Sequence, residues 1–300
     1  MNFFANPLEF VGRPDWRSAV LAAIFVAPWL ILLAGKWLRR WQTWVVLVAG
    51  IVLFPLTIAW IQVPIQQALS ALYLNTLPIE TIGRFALLLS IPLVLVSGLV
   101  QEAVKFGIGV AGLHLADERR DSRAGLAMGA AAGAGYGGIE AFWVFNMIFG
   151  AGFSLATVQL AGPLALAGFV ERFFTVMFHI SLAAISTYGY ATGRPWPFLL
   201  LAIVVHSLAN YIAVLAQAGL VGIVATEVIL ALIALTTLAW ALWLRARSRP
   251  ELPAETEFDE GAEPSAEGEP NEGEAGVSAA SADRDEADDS VEPPAITPEH

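Results

Sequence analysis

The sequence predicts an all-α polytopic membrane protein with about seven transmembrane helices, from its composition, its apolar runs and the placement of its basic residues. The chain of 300 residues is 57% hydrophobic and only 14% charged. Several apolar runs reach about 20 residues, the length that crosses the hydrocarbon core of a bilayer. The predicted spans are residues 18–37, 44–63, 84–115, 124–149, 168–190, 197–217 and 219–244.

Basic residues predict the orientation of these spans. Each odd-numbered span is followed by a basic loop, which places the N-terminus outside and the C-terminus in the cytoplasm of a multi-pass protein of the cell membrane. The segment before the first span has no basic n-region and no clear cleavage site, so this span is expected to be retained. The loop residues are Lys36, Arg39, Arg40, Arg119, Arg120, Arg123, Arg194, Arg245, Arg247 and Arg249.

The third predicted span and the segment that precedes it differ from the other predicted spans. The third span has 32 residues, or about 48 Å at 1.5 Å per residue, so it must tilt, kink near Pro92 or leave the membrane. Residues 64–68, between the second and third spans, are mixed in polarity and predict an interfacial helix.

The last 51 residues differ in composition from the rest and define a second region. Residues 250–300 hold 17 of the 27 acidic residues, whereas residues 1–249 carry 15 Lys and Arg against 10 Asp and Glu. A segment with so few large apolar residues cannot bury enough surface to fold. We therefore predict a membrane domain over residues 1–249 and a disordered acidic cytoplasmic tail over residues 250–300.

Ionisable residues inside the predicted spans indicate a functional site, because a charge near the membrane midplane costs roughly 2.5–3.5 kcal/mol. Glu102, Glu140, His179 and His206 lie 9 to 16 residues from the cytoplasmic ends of four different spans. That spacing corresponds to depths of roughly 13–24 Å. Four side chains at about the same level predict a shared polar cavity.

Two more polar residues are expected beside these four, because of their spacing along the helices. Lys105 is three residues after Glu102 and is expected to neutralise it, and Asn210 is one turn after His206. Glu227 and Asn146 are expected in structural hydrogen bonds or in water-facing positions.

Glycines repeat every four residues before Glu140, a pattern that lets membrane helices approach closely. This ridge is expected to press Glu140 against the helix that carries Glu102. It consists of Gly125, Gly129 and Gly133.

These residue types fit the hydrolysis of an amide bond inside the membrane by either of two routes. A buried carboxylate can take a proton from water while imidazole and amide groups polarise the carbonyl. Alternatively, two His and two Glu residues could bind a divalent metal such as zinc, which would acidify its water. No Ser-His-Asp arrangement, P-loop or His-Glu-x-x-His motif suggests another reaction. The chain has no cysteine, which excludes thiol nucleophiles and Cys-ligated metals.

Four short motifs then occur in order between residues 98 and 211 and resemble the YhfC and PrsW families, which belong to the clan of CAAX-type membrane proteases. The YhfC resemblance is the closer one. The motifs are Gln-Glu-x-x-Lys at 101–105, Gly-x-Gly-Tyr-Gly-Gly-Ile-Glu at 133–140, Glu171-Arg172 followed by His179, and His-x-x-x-Asn at 206–210.

The resemblance implies an α-helical intramembrane metalloprotease that cleaves a membrane protein or a lipid-anchored peptide, with no nucleic-acid partner. The implied catalytic residues are Glu102, Glu140, His206 and Asn210. The implied metal ligands are His179, His206 and Glu140. The implied supporting residues are Gln101, Lys105, Glu171 and Arg172.

One position departs from the family pattern and keeps alternative functions open. The first motif usually begins Glu-Glu, and here Gln101 stands at the first of these positions. A Gln cannot act as a base, so Glu102 or Glu140 must do so, or the protein is a catalytically silent scaffold or immunity-type relative. A small proton-coupled transporter is a third alternative, with the same ionisable residues as a proton relay.

Overall fold

The computed structural model of the chain describes residues 14–248, and over this range the protein is helical with no strand. Residues 1–13 and the predicted acidic tail, 250–300, lie outside the described residues. The helices are α1 (Trp16–Ala34), α2 (Trp41–Thr57), α3 (Val63–Thr76), α4 (Ile79–Arg84), α5 (Ala86–Leu115), α6 (Ser122–Gly150), α7 (Leu155–Ala161), α8 (Ala167–Ala191), α9 (Pro195–Gln217) and α10 (Ile223–Arg247).

Within residues 14–248, six helical segments are long and apolar enough to cross a membrane, which confirms the predicted membrane protein. Many large apolar side chains on these helices are exposed, as expected where lipid is the solvent. The six segments are Trp16–Arg39, Trp41–Thr76, Ala86–Leu115, Leu155–Ala191, Pro195–Gln217 and Ile223–Arg247.

Helix α6 coincides with the predicted span 124–149 but is not one of these six apolar segments. It has 29 residues, and every residue from 124 to 138 is buried. A helix enclosed by other helices does not face lipid, so Ala and Gly can replace larger apolar residues. Its length suits a seventh span, and its crossing of the membrane stays a prediction.

The glycine ridge of α6 faces α8, so the prediction that it presses Glu140 against the Glu102 helix was wrong. A Cβ on Gly129 would lie 2.7 Å from the Cα of Ala184, and one on Gly133 would lie 2.7 Å from the Cα of Ile180. Because these glycines have no side chain, the backbones of α6 and α8 approach more closely than larger residues would permit. The ridge therefore fixes the helix that carries His179.

We expect Gly133→Ala to lower the stability of the bundle by about 1–3 kcal/mol, because the added methyl would overlap the α8 backbone. Gly107→Ala is the matched control, since Gly107 is exposed within α5 and a Cβ there meets no atom within 4 Å. Thermal unfolding in detergent micelles measures both variants. Equal unfolding temperatures for the two variants would contradict the close packing of α6 on α8.

Residues 64–68, predicted to form an interfacial helix, are helical and belong to a continuous helical segment from Trp41 to Thr76. Their place at the interface stays a prediction. A π-helical turn, Ile58–Gln62, joins α2 to α3 and follows Pro55, which lies inside α2 and has no N–H to donate. Such turns alter the direction of side chains within a helix. Here the turn ends at Gln62, whose side chain is buried.

The loops that follow α1 and α5 and the end of α10 lie together at one end of the bundle. Arg40 Nη1 donates to Glu118 Oε1 at 3.0 Å, which joins the loop after α1 to the loop after α5. Arg123 Nε donates to the Ser248 carbonyl at 2.9 Å, which joins the start of α6 to the end of α10. Three of the basic segments noted in the sequence, those after α1, α5 and α10, therefore share this end.

Candidate functional site

A cluster of ionisable side chains lies buried where four helices meet. Helix α5 contributes Glu102 and Lys105, α6 contributes Glu140, α8 contributes His179 and α9 contributes His206. Neither Glu102 nor Lys105 has any exposed surface. The four residues that the sequence placed at a similar depth are thus brought together in space.

Glu102 and Lys105 form a buried ion pair on one face of α5. Lys105 Nζ lies 2.5 Å from Glu102 Oε1, at the i, i+3 spacing of a helix. An unpaired charge in such a place would be far more costly than a paired one. The pair therefore explains how α5 carries two charges through an apolar region.

His206 is held by the same carboxylate oxygen. His206 Nδ1 lies 2.5 Å from Glu102 Oε1. Since an ionised carboxylate only accepts hydrogen bonds, Nδ1 is the donor in this pair. A neutral His206 then has its lone pair on Nε2, where it can accept a proton.

His179 lies between Lys105 and Glu140. Its Nδ1 is 3.0 Å from Lys105 Nζ, and its Nε2 is 3.0 Å from Glu140 Oε2. The lysine ammonium has three donors and no acceptor, so Nδ1 presents its lone pair to the lysine. The Nε2 of His179 then carries the proton and faces the Glu140 carboxylate.

Glu140 also forms an ion pair with Arg172, which lies on α8 two turns before His179. Arg172 Nη1 donates to Glu140 Oε1 at 2.8 Å, and Arg172 Nη2 donates to Glu171 Oε1. The planar guanidinium suits this role, because its fork of donors can engage two carboxylates at once. Glu171 and Arg172, predicted as supporting residues, thus contact the cluster through Glu140.

Amide side chains form a second network beside the charges. Gln101 Nε2 donates to Gln62 Oε1 at 3.0 Å and to Ser97 Oγ at 3.1 Å, while Asn210 Nδ2 donates to Ser97 Oγ at 3.0 Å. A glutamate at position 101 could not make these donations while ionised. Gln101 therefore forms structural hydrogen bonds in this chain, and one of the two amide N–H groups of Asn210 donates to Ser97.

Tyr136 is a residue of the site that the sequence reasoning missed. It is fully buried, its hydroxyl lies 3.0 Å from Thr57 Oγ1, and its ring centroid is 5.7 Å from Lys105 Nζ. The negative face of an aromatic ring attracts a cation at this distance. Its position between glycines in the motif at 133–140 was the available signal. Gln62 and Ser97 were missed because neither belongs to a motif.

A cavity of about 90 Å³ adjoins the cluster. This space is large enough for water molecules, and its wall supplies the polar partners that buried water needs. Glu102 and Lys105 lie behind the wall, whereas His206 and Glu140 form part of it. Its polar lining residues are Gln101, Glu140, Glu171, Arg172, Thr175, His179, His206 and Asn210.

Glu102, His179 and His206 could hold a metal ion, because one ligand atom from each lies within 4.8 Å of the others. The structure therefore groups Glu102, rather than the predicted Glu140, with the two histidines. Two His and one carboxylate are a common ligand set for zinc, although other divalent metals accept the same donors. In the observed arrangement, the Lys105 ammonium contacts two of these three residues.

Two other polar residues of the predicted spans do not line the cavity. Asn146 Oδ1 accepts a hydrogen bond from the backbone N–H of Asp15 at 3.0 Å, as expected for a structural role. Glu227 is half-buried on α10 and interacts electrostatically with Glu171 and Arg172, so it lies at the edge of the cluster.

Comparisons of the chain with protein-family models, with curated proteins and with solved structures each returned no match. The resemblance to the YhfC and PrsW families thus stays a prediction from the motifs.

Proposed function

We propose that this chain is an intramembrane peptidase that hydrolyses a peptide bond of a membrane protein or a lipid-anchored peptide. The observation that carries the proposal is the small cavity lined by His206, Glu140 and Arg172, because it joins room for water to a base and a cation inside a bundle of apolar helices. Membership of the YhfC and PrsW type is part of this proposal and rests on the four motifs.

The proposed topology has seven spans, with the N-terminus outside and the C-terminus in the cytoplasm. Two contacts support it, Arg40 with Glu118 and Arg123 with Ser248, because they gather basic loops at one end of the bundle. By the positive-inside rule this end is cytoplasmic. The central helix α6 is the seventh span.

In the proposed reaction, His206 acts as the general base. Its Nε2 removes a proton from a water molecule as the water oxygen bonds to the carbonyl carbon of the substrate amide. His206 then gives this proton to the amide nitrogen as the carbon–nitrogen bond breaks, which yields a carboxylic acid and an amine. Glu102 holds the imidazole in the required tautomer and stabilises the imidazolium ion, as the carboxylate of a catalytic triad does.

Arg172 and Glu140 are assigned to the stabilisation of the substrate carbonyl group. Arg172 lines the cavity and supplies positive charge for the oxyanion that forms on the carbonyl oxygen. Glu140 orients Arg172 and faces His179 Nε2. Because Glu140 also lines the cavity, it is the second candidate for the base.

We expect His206→Ala and Glu140→Gln to reduce cleavage by about 10²–10⁴-fold, the usual contribution of a general acid–base group. The measurement compares protein N-termini, by mass spectrometry, in membranes of cells that produce the native chain or a variant. Glu80→Gln is the matched control, since it removes an exposed carboxylate on α4 that does not line the cavity. New N-termini should appear with the native chain and with Glu80→Gln.

The alternative of a catalytically silent relative makes the opposite prediction for the same experiment. If the native chain and the folded His206→Ala variant give the same N-termini, the peptidase proposal is wrong. Size-exclusion chromatography in detergent checks that each variant is folded.

A proton relay is a second candidate function, because hydrogen-bonding distances connect the ionisable side chains into one series. The series runs through His206, Glu102, Lys105, His179 and Glu140. Such chains carry protons in membrane pumps and transporters. Proton flux into liposomes that requires Glu102, without any cleavage, would favour this candidate over the peptidase.

A further inference from the structure

Lys105 lies among the three residues that could hold a metal ion. Its Nζ is 2.5 Å from Glu102 Oε1 and 3.0 Å from His179 Nδ1, and its side chain has no exposed surface. The third residue of the group, His206, bonds to the same Glu102 oxygen. The lysine ammonium is therefore in contact with two of the three residues that could bind the ion.

The ammonium and a metal ion require the same electron pairs. Lys105 can only donate hydrogen bonds, so the lone pair of His179 Nδ1 is directed at it. An ion bound at His179 Nδ1 would require that same lone pair. Two positive charges at such a short separation also repel strongly in a medium of low dielectric constant.

The lysine is held in place by covalent geometry as well as by charge. Lys105 follows Glu102 by one helical turn on α5, so the two side chains are neighbours before any other helix packs against them. The Tyr136 ring, 5.7 Å from Nζ, adds a further attraction for the cation. A diffusing ion has no such tether.

We propose that Lys105 is the resident cation of this site and takes the place of a metal ion. Its ammonium orients Glu102 and His179 and prevents divalent metals from binding to Glu102, His179 and His206 in the native protein. Removal of the ammonium therefore creates a site for a transition metal with two His ligands and one carboxylate. This inference concerns metal binding alone and holds whether or not the chain is a peptidase.

Titration with Co²⁺ in detergent micelles tests the proposal, because cobalt accepts the ligands of a zinc site and absorbs visible light when it is bound. Lys105→Met removes the charge and keeps an unbranched side chain of similar shape. We expect one equivalent of Co²⁺ to bind this variant at least about 100-fold more tightly than the native chain, a difference of roughly 2.8 kcal/mol. The double variant Glu102→Gln/Lys105→Met should lose this binding.

Lys36→Met provides the matched control, since Lys36 is exposed in the loop after α1 and is the only other lysine in the chain. It should bind Co²⁺ no better than the native chain. Native protein that binds one equivalent as tightly as Lys105→Met would overturn the proposal. A folded Lys105→Met variant that binds no Co²⁺ would also overturn it.

A measurement on the native chain keeps the proposal testable if Lys105→Met does not fold. With only two lysines, ¹⁵N-lysine labelling gives separate NMR signals for the buried and the exposed ammonium groups. We expect the Lys105 signal to stay unchanged when zinc is added in excess. Its loss with stoichiometric zinc uptake would show that the metal displaces the lysine, contrary to the proposal.

Discussion

Glu102→Gln is expected to lower the free energy of unfolding by about 3–5 kcal/mol, the usual cost of removing one partner from a buried ion pair. The variant keeps the shape of the side chain but removes the charge that lies 2.5 Å from Lys105 Nζ. Lys105 can still donate to the glutamine oxygen and to His179, but it loses the negative charge of the carboxylate in contact with it. Denaturant titration in detergent micelles measures the loss.

Two comparisons separate this effect from a general cost of the substitution. Glu118→Gln removes a carboxylate from the exposed pair with Arg40, whose side chains are 27% and 46% exposed, and should cost no more than about 1 kcal/mol. Glu102→Gln/Lys105→Met removes both charges and should recover much of the lost stability. If Glu102→Gln costs no more than Glu118→Gln, the buried pair does not stabilise the bundle.

Arg172→Met is expected to cost about 3 kcal/mol or more, because it leaves the carboxylates of Glu140 and Glu171 without their shared cation. Arg172→Lys should lie between the native chain and Arg172→Met. A lysine keeps the positive charge but lacks the planar fork that reaches both carboxylates. The same denaturant titration measures both variants.

The matched control is Arg119→Met, which breaks an exposed pair with Asp117 whose side chains are 57% and 87% exposed. This pair is surrounded by solvent, so its loss should change stability by less than about 1 kcal/mol. Equal stabilities for Arg172→Lys and Arg172→Met would mean that charge has no part in the role of Arg172. Equal stabilities for Arg172→Met and Arg119→Met would mean that the buried contacts do not stabilise α8 against α6.

Much of the fold could be predicted from hydrophobicity alone. A run of about 20 apolar residues has few alternatives to a membrane helix, since the backbone must satisfy its hydrogen bonds internally in lipid. This reasoning placed α5 and α9 close to their observed bounds. It predicted an interfacial helix at residues 64–68; these residues are helical, and the π turn and α3 continue α2 through them.

The sequence predicted which residues belong to the candidate site, but not which of them contact one another. Counting residues along each span placed Glu102, Glu140, His179 and His206 at similar depths, because helical rise is constant. Depth says nothing of rotation about the helix axis, which decides the contacts. The predicted metal set therefore contained Glu140, whereas Glu102 lies with the two histidines.

The sequence by itself determined that this protein is a bundle of membrane helices with costly charges inside it, since both properties follow from the chemistry of consecutive residues. It also determined the pairing of Glu102 with Lys105, because that pair lies within one helix. Only the tertiary structure decided that the glycine ridge faces α8 and that the Lys105 ammonium contacts His179. Contacts between helices depend on their rotation and packing, and these are set by the whole bundle rather than by any one segment.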